Sequence, residues 1–305
     1  MNKQLFNSSK EIRQDKLGRL LVYSALTVVL VLACAMLYFI FSKGIATFTQ
    51  DHINFWDFLT RSNWNTDNLQ KPDLGAWALM VTSAETTLLA VLVTTPLALV
   101  IAIYIVVMSP KIGGRIVQPL TELLLGIPSV VYGFVGLTVL IPVLRRWAGG
   151  TGFGVLAAAL VLALMILPTI TSLAVEALNG VPQSYQTFAY SLGCTKWQVI
   201  VHVLLKISAP NLLVAVIFGV ARAFGEALAV QMVIGNTVQL PLGLFTPAAT
   251  LTSKLTTDMG NTIDGTLASN ALWSLALLLL VMSLIFNLLA KLVLRRSQSR
   301  ESISR

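Results

Sequence analysis

The residues best suited to chemistry in this chain are Arg222 and Glu226. They stand about twelve and sixteen residues into an apolar run that starts near Pro210. At about 1.5 Å of rise per residue, one continuous helix would carry both close to mid-bilayer. At i and i+4 they would share a face and pair. A charge at that depth costs on the order of 2.5–3.5 kcal/mol, and pairing offsets the cost. The pair reads either as structural support or as part of a translocation path. An arginine fork suits an oxyanion such as phosphate, and a nearby glutamate could accept the remaining proton of monohydrogen phosphate. Gly219, Ala223 and Ala227 repeat small residues every four positions, which lets another helix approach closely. Two more carboxylates fall inside apolar runs: Glu85, near the outer end of the second, and Glu122, near the inner end of the third. For each, a packing or interface role stands beside a pathway role.

A second group of residues lies between 176 and 209. Tyr185, Phe188, Ala189 and Leu192 follow i, i+3, i+4, i+7, and Gly193 is placed to end that helix. Thr195 is placed to cap a second, in which Trp197, Ile200, Val201 and Leu204 fall at helical spacing. Two short amphipathic helices result. They read either as helices resting in the membrane interface or as a knob that inserts into a cytosolic partner.

The elements that must position these groups follow from composition. Of 305 residues, 56% are apolar and only 11% charged, against about a quarter charged in soluble chains. Such a chain needs lipid as solvent for its exterior. Six runs are long enough to cross a core of about 30 Å, near 20–42, 80–108, 120–143, 153–175, 210–235 and 270–292. Runs this continuously apolar span as helices, not as alternating barrel strands.

Of the 21 Lys and Arg, ten sit in the tails 1–19 and 293–305 or at the end of the last run. With both termini in the cytosol, the inner segments carry 14 basic residues and the outer loops six. This favours that orientation, although Arg145 and Arg146 oppose it. Basic residues gathered this way are membrane signals and leave no nucleic-acid surface. The sequence Val31-Leu32-Ala33-Cys34 mimics a lipoprotein cleavage site, but the apolar run continues through Phe41, so processing is not expected.

Cys34 and Cys194 cannot form a disulfide framework, and His52 and His202 fall on opposite sides of the membrane, so no metal site is expected. The outer loops are 43–78 and 236–269. The first mixes Phe55, Trp56, Phe58, Trp64 and Trp77 with Asp51, Asp57, Asp67 and Asp73, and reads as an interfacial aromatic belt or as a docking surface for an extracytoplasmic partner. No nucleotide-binding loop, kinase signature or nucleophile elbow occurs, so the chain is expected to be a non-catalytic component.

Three stretches carry a resemblance: GIPSVVYGFVGL at 126–137, VPQSYQTFAYSLGCTKWQVI at 181–200 and ARAFGEALAVQMVIGN at 221–236. With them the chain resembles the inner-membrane permeases of ATP-binding-cassette importers, specifically phosphate-specific transport (Pst) permeases of the PstC type. The resemblance implies an all-α, polytopic, six-helix protein with the type I importer permease fold in the bacterial cytoplasmic membrane. It implies three kinds of partner: a second, PstA-type permease, two PstB-type ATPases that bind ATP and Mg, and an extracytoplasmic PstS-type phosphate-binding protein. No cofactor is implied on this chain. By resemblance, 176–209 is the coupling segment, with Thr187, Phe188, Ala189, Gly193 and Trp197 towards the ATPase, and Arg222 and Glu226 match positions linked to phosphate passage. The usual importer pattern has glutamate where Thr187 stands and proline where Lys206 stands. The alternatives weighed against this reading are a proton-coupled secondary anion carrier using Glu85, Glu122 or Glu226, and an importer permease for another oxyanion.

Overall fold

A computed structural model describes residues 9–66 and 72–303. Lys3, Asp67, Lys71 and Arg305 lie outside the described residues. Six helices are long and apolar enough to cross a membrane: Gln14–Thr49, Trp77–Met108, Ser129–Ala148, Val155–Asn179, Lys196–Phe224 and Leu267–Leu288. Their number matches the sequence expectation, but the third and fifth differ from it in where they run. Gly126, Ile127 and Pro128 interrupt the expected third span, so Gln118–Leu125 forms a separate helix and the span begins at Ser129. The residue before a proline disfavours the helical region, and the Gly-Ile-Pro sequence turns the chain there.

The expected fifth span, 210–235, is also corrected. Its helix runs from Lys196 to Phe224, because Pro210 lies inside it and does not begin it. Pro96 and Pro168 are likewise internal to the second and fourth spans. Membrane helices tolerate such prolines where neighbouring helices cover the freed backbone groups. The amphipathic segment Trp197–Leu204 is therefore the start of the fifth span and not a separate interfacial helix.

The fourth span is the centre of the bundle. It packs along the second and the fifth, and Ala157, Ala158, Ala159, Ala163, Ala174 and Ala177 of its buried face keep those backbones close. Thr94 Oγ1 of the second span donates to the Ala163 carbonyl at 3.1 Å. Gly219 of the fifth span meets Ile170, and a Cβ built there would fall 2.5 Å from Ile170 Cδ1. This contact sets the height of the fifth span against the fourth.

Buried apolar side chains form three clusters. The middle one joins the second to fifth spans, the inner one gathers Ile105, Leu178, Ile200 and Leu204, and the outer one gathers Phe58, Leu74, Leu79, Leu251 and Leu272. The first span touches the rest mainly near its outer end, where Phe39 meets Trp273 edge-on at 5.1 Å and Lys43 pairs with Asp264 at 2.9 Å. Along most of its length its apolar side chains are exposed, as a lipid-facing helix requires.

The outer loop divides its aromatics between two environments. Phe58 is buried at the centre of the outer cap, with Phe48 and Trp64 against it, whereas Trp56 and Phe55 are exposed. A two-stranded hairpin, Trp64–Asn65 with Asp73–Leu74, closes the cap. Arg61 ties it by donating to Asp57 and Asp73 at 3.0 and 3.2 Å.

Candidate functional site

Arg222 and Glu226 do not form the expected i, i+4 pair. The fifth span ends at Phe224, and Gly225, Glu226 and Ala227 form a non-helical break before a short helix, Leu228–Ile234. The physical reason is local: the chain turns at Gly225, and the Glu226 carboxylate accepts from the Ala229 amide at 3.2 Å, satisfying a free N–H at the start of the next helix. Non-helical backbone at membrane depth persists only where protein covers it or it lines a water-filled cavity. Here the Thr252 hydroxyl covers the Glu226 carbonyl, donating to it at 2.8 Å.

Arg222 turns the other way. Its Nη1 donates to Thr169 Oγ1 at 3.0 Å, and the Tyr132 phenol lies within reach of its charge. Thr169 is the fifteenth of the 25 residues of the fourth span, which places it about 21 Å from that span's outer end. The guanidinium is thus near mid-depth, exposed, and hydrogen-bonded to a hydroxyl with most of its donors free. On the same face, one turn inward, Phe218 is also exposed. This open face lies between the sides covered by the fourth and sixth spans.

The second interruption adjoins the first. Tyr132 Oη donates to the Leu124 carbonyl at 2.9 Å across the Gly126–Pro128 turn. The helix that follows this turn, Ser129–Val135, packs against Leu228–Ile234. Two breaks in two helices therefore meet beside Arg222.

Glu85 and Glu122 are not drawn into this group. Glu85 is half-buried in the second span and makes no hydrogen bond or ion pair with the described residues. Glu122 is exposed on the helix outside the third span, where it accepts from Gln118 Nε2 at 3.0 Å. The sequence reading missed Thr169 and Tyr132, and with them the hydroxyls Ser83, Thr86, Thr87, Thr250 and Thr252 that surround Glu226. A signal existed: Thr82, Ser83, Thr86 and Thr87 repeat hydroxyls at helical spacing within an apolar run, and all four are buried.

The segment 176–209 has its expected helical shape at its first half. Gln183–Ser191 is a helix, Gly193 follows at φ +81, and Thr195 begins the next helix in a capping box with Gln198. A left-handed conformation there favours glycine. Ala189 is buried, while Phe188, Leu192 and Trp197 are 67%, 84% and 64% exposed. Thr187 is exposed; its hydroxyl donates to the Gln183 carbonyl and its backbone carbonyl accepts from Ser191 Oγ, both within the helix. Among the described residues, no group of three or more His, Cys, Asp or Glu is placed to hold a metal.

Comparison with known proteins places this geometry. Residues 77–299 match the family described as "Binding-protein-dependent transport system inner membrane component". A probable ABC transporter permease protein, YqgH, of Bacillus subtilis is 42% identical over 294 residues, covering 95% of this chain and 94% of its own. The phosphate transport system permease protein PstC of Mesorhizobium japonicum is 32% identical over 265 residues, 80% of each chain, and that of Pasteurella multocida is 29% identical over 92% of this chain and 91% of its own. A crystal structure of the MetNI methionine ABC transporter, in an inward-facing conformation, aligns at TM-score 0.56 and 18% identity, over 73% of this chain and 94% of that one. That match establishes the fold, the type I importer permease. The family removes the secondary-carrier alternative, since its transport depends on a binding protein, and as ABC permeases its members work with an ATPase. The chain belongs to the binding-protein-dependent inner-membrane transport components, as a multi-pass permease subunit.

Proposed function

We propose that the chain is the PstC-type permease of an ATP-driven phosphate importer and forms one half of its pathway, with Arg222 as the anion contact. The observation that carries this reading is the Arg222 guanidinium, near mid-depth on an open face and bonded only to a hydroxyl. An unneutralised cation inside a membrane is costly and calls for a partner. A tetrahedral oxyanion matches the free fork. The names of the PstC relatives support phosphate as that anion. Glu226 has one oxygen engaged by Ala229, which leaves the other able to accept the proton of monohydrogen phosphate. Sulfate carries no such proton at neutral pH.

In this account the open face of the fifth span meets a PstA-type permease, and a PstS-type binding protein delivers phosphate to the outer cap. Phe188, Leu192 and Trp197 then seat in PstB-type ATPases, which bind ATP and Mg, while this chain carries no cofactor. Both termini lie in the cytosol, as the distribution of basic residues favours. The test is uptake of labelled phosphate in a transport-null strain supplied with this chain and its three kinds of partner. Uptake that needs the chain and withstands excess sulfate supports the reading. Uptake blocked by sulfate reassigns the permease to another oxyanion.

A further inference from the structure

The outer cap and the mid-membrane break are joined by a directed chain of buried hydrogen bonds. The helix Leu251–Asp258 starts beneath the outer cap. Its cap residue, Thr250, accepts from the Ser253 amide at 3.1 Å, so its hydroxyl proton is free for Thr252 Oγ1 at 3.1 Å. Thr252 in turn donates to the Glu226 carbonyl at 2.8 Å. The Leu251 amide donates to Ser83 Oγ of the second span at 2.9 Å, and Ser83 donates onward to the Leu79 carbonyl. Ser83, Thr250, Thr252 and Ser253 are all buried, so water does not substitute readily for any bond in the chain.

At its outer end the same helix is fixed to the cap. Lys254 pairs with Asp258 at 2.6 Å and stands over the Trp64 ring, 5.9 Å from its centroid. Trp64 belongs to the outer hairpin and packs on Phe58. Through these contacts a displacement of the hairpin would move the helix, and with it the Thr252 hydroxyl that donates to the Glu226 carbonyl, four residues from Arg222.

We infer that Thr252 is a positioning residue: it keeps the Glu226 turn in register with the outer cap, so that a protein pressing on the cap alters the geometry presented by Arg222 and Glu226. This rests on the reading of the chain as the phosphate permease. It adds a role for a residue that touches neither the anion nor the ATPase. A purely supportive hydroxyl would affect every activity of the assembled complex equally, whereas a positioning residue separates the outer signal from the ATPase's own turnover.

The experiment uses the full complex in proteoliposomes, with Thr252→Val, Thr252→Ser and Ser83→Ala. Basal ATP hydrolysis, its stimulation by phosphate-loaded binding protein, and phosphate uptake are measured together. Thr252→Val is expected to keep basal hydrolysis and the half-saturating concentration of binding protein, while stimulation and maximal uptake fall about tenfold, the scale of one lost buried hydrogen bond. Thr252→Ser keeps the donor and restores both. Ser83→Ala shows the same split as Thr252→Val. Stimulation and uptake at wild-type levels in Thr252→Val overturn the inference, as does a loss of basal hydrolysis in equal proportion. Failure of both Thr252→Val and Ser83→Ala to assemble assigns the cluster to folding and also overturns it. A wild-type complex that hydrolyses ATP without taking up phosphate overturns the functional reading instead.

Discussion

Gly219→Ala tests the contact that holds Arg222 against Thr169. The new Cβ would lie 2.5 Å from Ile170 Cδ1 and 2.6 Å from Cγ1, whereas ordinary van der Waals contact begins near 3.4 Å. Ile170 is fully buried, so the new methyl must displace that side chain or part the two helices by up to an ångström. Overpacking of this kind costs about 1–3 kcal/mol, roughly a five- to hundredfold change in equilibrium. The displacement falls one turn from Arg222 and one residue from Thr169, so their 3.0 Å bond opens with it. The assay is the thermal midpoint of the solubilised complex beside phosphate uptake per assembled complex. Both should fall in Gly219→Ala, and Ile170→Ala in the same chain should return uptake by removing the opposing atoms. An unchanged midpoint with full uptake in Gly219→Ala, or no recovery in the double variant, would refute the reasoning.

Gly193→Val places a β-branched residue at φ +81, where nothing crowds the new Cβ, so the cost is backbone strain alone, about 1–2 kcal/mol. ATP-dependent uptake should drop at unchanged membrane level, and Gly193→Asn, which tolerates this conformation better, should retain more; equal loss in both counts against the coupling role. At the outer face, hydrogen bonds from Asn63 and from Arg61 hold the Asp73 carboxyl below its ordinary value of 3.8. A depressed carboxylate contributes stability that is complete above the unfolded value and is lost as pH falls through the folded one. The hairpin should therefore resist proteolysis equally from pH 7 down to about 4 and open only below that; opening near pH 6 would show that this tie does not hold it.

The spans were legible in the sequence because continuous apolarity is the requirement lipid imposes, and their number follows from it directly. Their breaks were not. Averaged hydropathy stays high across Gly225–Ala227 because Ala, Leu and Val surround the turn, so a helix that stops and a helix that continues give the same profile. Pro210 was misread for the opposite reason. It marks a boundary in water, but inside a bundle neighbouring helices cover the backbone it frees, and the helix runs through it. Arg222 and Glu226 were found by their cost in lipid, and their partners were not, because Thr169 and Thr252 carry no charge and lie 53 and 26 residues away in sequence. The helical hairpin around Gly193 was readable up to Thr195 from spacing and caps, while the continuity of Trp197–Leu204 with the span depends on a tertiary contact, the burial of Val199, Ile200 and Leu204 against the inner cluster.

The central claim is that Arg222 is the anion contact of an ATP-driven permease, and Arg222→Ala in an otherwise complete complex tests it most directly. Membranes would be checked for assembly with the second permease and the ATPase, and uptake of micromolar labelled phosphate would then be measured with and without ATP. The account predicts an intact complex, preserved ATP hydrolysis, and uptake at least tenfold lower, since a charge-assisted bidentate contact is lost. Full ATP-dependent uptake in Arg222→Ala would contradict it.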